Sequence, residues 1–86
     1  MEGVKTLIRD FIVDNFLFGD DEGLTDQMSF LDSGIVDSTG ILEIVNFLYE
    51  AFGVTVADEE LLPENLDSID KIAFYLSIRR QAIANS

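Results

Sequence analysis

The sequence predicts an all-α fold, a small four-helix bundle of three main helices and one short one. Three observations carry this reading. Apolar residues recur at i, i+3, i+4, i+7 spacing in three separate stretches. Capping and breaking residues (Asp37-Ser38, Gly53, Pro63, Asp67-Ser68) fall at the edges of those stretches. The one β-favouring run, Val54-Thr55-Val56, is too short to build a sheet of its own. At 86 residues and 48% apolar, the chain is expected to form one domain, 1–86, around a single modest core.

The first helix is expected over Glu2 to Phe16, with Val4, Leu7, Ile8, Phe11, Ile12 and Phe16 as its buried stripe and Lys5, Thr6, Arg9, Asp10 and Asp14 facing away. Gly19 to Asp26 is loop, punctuated by Gly19 and Gly23. Its acids invite a calcium reading, which the register rejects. An EF-hand loop needs glycine at its sixth position, and starts at Asp20 or Asp32 put Thr25 or Asp37 there. Met28, Phe30, Leu31, Ile35 and Val36 are apolar residues within this long connection and are expected to pin it to the core.

The second helix is expected from Ser38 to Phe52, burying Ile41, Ile44, Val45, Leu48 and Phe52 and ending on Gly53. Asp58-Glu59-Glu60 fits a charged turn, and Pro63 opens a short helix to Leu66. Asp67-Ser68 caps the last helix, with Asp70 in its first turn and Arg79 and Arg80 towards its C-terminal, favourable dipole end. Ile69, Ile72, Ala73, Leu76 and Phe74 are read as inward-facing, and 82–86 as a frayed end. Phe11, Phe16, Phe47, Phe52 and Phe74 are read as an aromatic-rich interior.

Charge is distributed unevenly. The net charge is −12, and no lysine or arginine occurs between Asp10 and Asp70; of the 17 acidic residues only Glu2 lies outside that span. Such a field repels nucleic acid and anionic membranes and steers towards basic partners. The chain has no cysteine, hence no disulfides or thiolate metal site, and no histidine. A reducing, cytoplasmic setting fits. The first residues lack a basic segment followed by an apolar run, so no signal peptide is expected, and no apolar stretch approaches membrane-spanning length.

The stretch that carries chemistry is Asp32-Ser33-Gly34-Ile35-Val36-Asp37-Ser38, leading into the second helix. A glycine turn delivers Asp37-Ser38 to a helix mouth, where a hydroxyl is exposed and close to free backbone N–H groups. No histidine exists, and no lysine lies near Ser38 in sequence to activate it as a nucleophile, so it is better suited to being modified than to catalysing. An anionic group there would sit where helix dipole and backbone donors favour negative charge. Two other readings remain open at this point: an acidic protein-binding adaptor without a prosthetic group, and a small enzyme relying on carboxylates such as Asp32 and Asp37.

The order Phe30-Leu31-Asp32-x-Gly34-Ile35-Val36-Asp37-Ser38, the helix closing at Phe52-Gly53-Val54, the Pro63-Glu64-Asn65-Leu66 turn and the last helix after Ser68 together resemble the acyl carrier protein family, including peptidyl and D-alanyl carriers. The resemblance spans nearly the whole chain. It implies a non-catalytic carrier, a monomer without a metal site of its own. Ser38 would receive 4′-phosphopantetheine from coenzyme A through a magnesium-dependent phosphopantetheinyl transferase, with Asp37 assisting recognition. The arm's thiol would hold cargo as a thioester, loaded by an acyl or aminoacyl ligase and passed to tailoring or condensing enzymes of a biosynthetic pathway. The family's docking surface maps here onto Thr39, Leu42, Glu43, Asn46, Tyr49 and Glu50, with Asp58, Glu59 and Glu60 outlying. Thr39 and Gly40 stand where fatty-acid-type carriers have a leucine and an acid, and Tyr49 replaces an acid. These departures point away from housekeeping fatty-acid synthesis, towards free-standing carriers of amino acids or specialised acyl groups.

Overall fold

The computed structural model describes residues 2–19 and 23–84. Four α-helices follow in order: α1 Glu2–Phe16, α2 Ser38–Phe52, α3 Pro63–Leu66 and α4 Ile69–Ala84, with a 3₁₀ turn at Asp58–Glu60 before α3. The fold is the small helical bundle that the periodicity predicts, and the described residues contain no strand. Asp20, Asp21 and Glu22, which would open the calcium loop considered above, lie outside the described residues, as do Asn85 and Ser86. Residues 82–84 of the expected frayed end continue α4, so Arg79 and Arg80 precede its last turn.

The core draws on every helix. Ile8 and Ile12 of α1, Ile44 and Leu48 of α2, Leu66 of α3 and Ile69, Ile72 and Leu76 of α4 are all essentially fully buried. Two expected core positions turn outward. Leu7 is 50% exposed, because it sits one residue from Ile8 and thus about 100° around the helix, on the flank of the stripe. Phe74 is 68% exposed, since two residues from both Ile72 and Leu76 puts it on the opposite side of α4. Tyr75 is buried instead. The aromatic cluster is therefore Phe11, Phe16, Phe47 and Phe52, half-buried between α1 and α2, with Phe11 and Phe47 stacked at 4.2 Å. The fully buried aromatic is Phe30, contributed by the long connection.

Val54 and Val56 bury alternate side chains of an extended strap while Thr55 faces out. The strap leads to Glu60, which works as structure. Its Oε1 accepts from the Ala57 N–H at 3.2 Å, the Tyr75 hydroxyl at 3.0 Å and Arg79 at 3.3 Å, and Arg79 also donates to the Thr55 carbonyl. The Ala57 N–H, the Tyr75 hydroxyl and Arg79 hold the Glu60 carboxyl below its ordinary range, against an opposing contribution from desolvation. Burial first, and then Glu60, push the Tyr75 phenol from its ordinary 10.0 to about 12.

The folded state thus favours the neutral phenol. Its contribution is complete below pH 10 and is lost as pH rises towards about 12. A shift of this size corresponds to roughly 3 kcal/mol. In urea unfolding across that window, wild-type stability should fall more steeply than that of Tyr75→Phe; parallel declines would show that the phenol contributes nothing.

Candidate functional site

The site is built at the start of α2 from the long connection 17–37, which must be held still for Ser38 to be presented. Phe30 and Val36 bury their side chains in the core, and Leu24 does the same nearer α1. Met28 and Ile35 pack partly against it, whereas Leu31 is more exposed than expected, because it lines a surface groove beside Ser38.

The polar anchor of the connection is Asp67, only 6% exposed. Its backbone carbonyl accepts from the Phe30 N–H at 2.8 Å, and its carboxylate accepts from the Leu31 N–H at 2.9 Å and from the Ser29 hydroxyl. Ser29 Oγ in turn accepts from the Asp32 N–H at 3.1 Å. A second anchor lies further back, where Arg9 donates to the Leu24 carbonyl at 2.9 Å and to Asp26 at 2.7 Å. Gly34, with φ at 78°, then turns the chain towards α2 in a conformation that side chains disfavour.

At the helix mouth Asp37 is the N-cap, its Oδ1 accepting from the Gly40 N–H at 2.8 Å. Ile41 N–H bonds back to the Asp37 carbonyl at 3.1 Å. The Ser38 and Thr39 N–H groups have no acceptor among the described residues. Ser38 itself is exposed. The cap role therefore falls to Asp37 and leaves the Ser38 hydroxyl free.

Gly40 has a role that the sequence did not disclose. Read as a helix-weakening departure, it is buried, and a Cβ there would lie 2.7 Å from Val36 Cγ1 and 2.9 Å from Phe16 Cε1. The absence of a side chain lets the end of α1 and the connection close beneath the first turn of α2.

Ser38 lines a groove of about 260 Å³ with Leu31, Ile41 and Leu42 on one side and Leu61, Leu62 and Pro63 on the other. The Leu61–Pro63 side was not singled out from sequence; Leu61-Leu62-Pro63, apolar residues just before a short helix, was the available signal. All six residues expected to form the docking surface are exposed: Thr39, Leu42, Glu43, Asn46, Tyr49 and Glu50, with Leu42 at 59% and Tyr49 at 60%. Of the outlying acids, Asp58 and Glu59 are exposed, but Glu60 turns inward to Tyr75 and Arg79. Among the described residues no cluster of three or more metal-ligating side chains forms, and no helix is long and apolar enough to cross a membrane.

A bundle that presents one exposed serine at a capped helix start, beside an apolar groove, has the form of a carrier domain. The comparisons with known proteins agree. No protein-family model matches the chain. It is 31% identical over 69 residues to the probable acyl carrier protein PigG of Serratia sp. (strain ATCC 39006), covering 80% of this chain and 79% of that relative. On that identity over most of both lengths, the chain belongs to the acyl carrier protein family, and its role is that of a carrier rather than an enzyme. Among solved structures, a chain of the "Crystal structure of FAD-dependent dehydrogenase" shares the fold with a TM-score of 0.72 at 23% identity, over 80% of this chain and 97% of that one.

Two substitutions test how the site is held. Asp67→Ala should destabilise the protein by about 1 kcal/mol, because it leaves a part-buried N–H and hydroxyl without their acceptor, and should raise amide exchange at Phe30, Leu31 and Asp32. Unchanged exchange there would show that apolar burial alone fixes the connection. Gly40→Ala gains about 1 kcal/mol of helix propensity but overpacks against Val36 and Phe16 at a cost of about 1–3 kcal/mol. Thermal unfolding should therefore show net destabilisation, and a stabilised variant would contradict the tight approach.

Proposed function

We propose that this carrier, functioning as a single domain over 1–86, bears 4′-phosphopantetheine on Ser38 and holds acyl or aminoacyl groups on it as thioesters. The observation that carries the reading is the placement of Ser38: a free hydroxyl, two unclaimed N–H groups and an apolar groove at one point of the surface. The residues fit the group. The Ser38 and Thr39 N–H groups would face a phosphodiester at a helix N-terminus, where an anion is favoured. Leu31, Leu42, Leu61 and Leu62 would offer apolar surface to the arm beyond it. When bound, the arm supplies the thiol that carries cargo, and tethering raises the cargo's effective concentration at each docked partner.

Attachment needs an outside enzyme, because the chain has no histidine to act as base. In that step the Ser38 oxygen bonds to the phosphorus of coenzyme A that bears the pantetheine. The serine proton leaves to the transferase's base, and adenosine 3′,5′-bisphosphate departs. Asp37 commits one carboxylate oxygen to Gly40, and the other is open to the transferase and its magnesium. Thr39, Leu42, Glu43, Asn46, Tyr49 and Glu50 form the docking face for the transferase, a loading ligase and downstream enzymes. Thr39 and Gly40 favour a specialised pathway over fatty-acid synthesis, and the lack of cysteine suits a cytoplasmic setting.

Incubating the apo protein with coenzyme A, magnesium and a broad-specificity phosphopantetheinyl transferase should add the mass of one phosphopantetheine to the intact protein. Ser38→Ala should abolish the gain. A folded wild-type protein that stays unmodified would leave the acidic adaptor as the better reading.

A further inference from the structure

The groove beside Ser38 has two unequal walls. Leu31, Ile41 and Leu42 form one, with Ile41 and Leu42 fixed to the backbone of α2. Leu61, Leu62 and Pro63 form the other, where the 3₁₀ turn passes into α3. This second wall has little apolar anchorage. Val56 and Leu66 are buried, but no residue between them is. Leu62 is 42% exposed, and a four-residue helix such as α3 is marginal on its own.

Polar bonds hold the segment instead, and they meet at Glu60. Its backbone carbonyl accepts from the Leu62 N–H at 2.8 Å and from the Asn65 amide at 3.0 Å, which shapes the wall. Its carboxylate ties that shape to α4. Oε1 takes the Tyr75 hydroxyl and Arg79 Nη1, and Oε2 accepts from the same Nη1 at 3.4 Å. Tyr75 and Arg79 lie four residues apart on one face of α4, and neither lines the groove. The Arg79 Nε–H is buried without an acceptor among the described residues, so water reaches it only when the guanidinium moves.

We infer that Glu60 is the positioning residue of the Ser38 groove. Clamped to Tyr75 and Arg79, it holds the Leu61–Pro63 wall where the phosphopantetheine arm can lie between the two walls. Coupling of this kind is reciprocal, so the arm in place holds the clamp closed. The inference rests on the Ser38 reading for its ligand, and it gives α4 control over a groove that α4 does not line.

The test uses the full-length protein carrying the arm on Ser38. In the wild type, nuclear Overhauser contacts from the arm's geminal methyls should reach Leu61 and Leu62 as well as Leu31 and Leu42. Arg79→Met keeps an apolar stem and removes the guanidinium, and Tyr75→Phe keeps the ring and removes the hydroxyl. In both variants the contacts to Leu61 and Leu62 should weaken about threefold relative to those with Leu31 and Leu42. If Arg79→Met does not fold, Tyr75→Phe decides alone. Lys5→Met, which removes an ion pair elsewhere in the frame, should leave the ratio unchanged. Exchange of the Arg79 Nε proton with water should be slower in the arm-bearing wild type than in Ser38→Ala. The proposal is overturned by a wild-type arm that does not touch Leu61 and Leu62, or by a ratio that the clamp variants leave unchanged. Equal loss in Lys5→Met, or equal Nε exchange with and without the arm, would overturn it as well. The Ser38 reading stands or falls separately, on the mass gain of the wild-type protein.

Discussion

Three hydrogen bonds converge on Asp67, and the presentation of Ser38 depends on them. The described residues between 17 and 37 form no helix, and their backbone polar groups need partners wherever they leave water. Apolar anchors such as Phe30 and Val36 supply burial but not direction. The Asp67 carbonyl and carboxylate supply direction, fixing the backbone of Phe30 and Leu31 and, through Ser29, that of Asp32. A buried carboxylate is costly without donors, and here the connection provides them. The junction between α3 and α4 and the approach to α2 are thereby one structural unit.

Ion pairing sorts the remaining charge. Three of the five cations hold the frame: Lys5 pairs with Asp70, Arg9 with Asp26 and Arg79 with Glu60. These half-exposed pairs each contribute little to stability. Their larger effect is on the field, because they neutralise acids away from α2 and leave Glu43 and Glu50 uncompensated. The same α2 therefore presents an anionic, partly apolar face on its outside while its inside, with Ile44 and Leu48, completes the core.

Much of this was legible in local sequence. Helix limits follow from period 3.6 and from strong punctuation, so Glu2–Phe16, Ser38–Phe52 and Pro63–Leu66 were readable to the residue. Ser38 stood out in the sequence at a helix mouth with no histidine to activate it, and the structure leaves it exposed there. Leu7 and Phe74 were misplaced because a stripe says which side of a helix is apolar, not how far round its partners reach. Glu60 looked like one more surface acid because its partners, Tyr75 and Arg79, lie 15 and 19 residues away.

The two Asp-Ser pairs mark where sequence alone stops. Both pairs offer two capping residues for one helix start. At α2 the aspartate caps and Ser38 stays free; at α4 Ser68 caps through the Lys71 N–H, and Asp67 is released to clamp the connection. Local propensity is nearly the same at both starts. The choice is made by what lies across from each: unpaired N–H groups of the connection draw Asp67 inward, while the groove beside α2 leaves Ser38 open. The sequence by itself determined the helices and the acidic span and singled out Ser38 as the candidate site. Only tertiary contact decided which aspartate holds the structure, and why position 40 has no side chain.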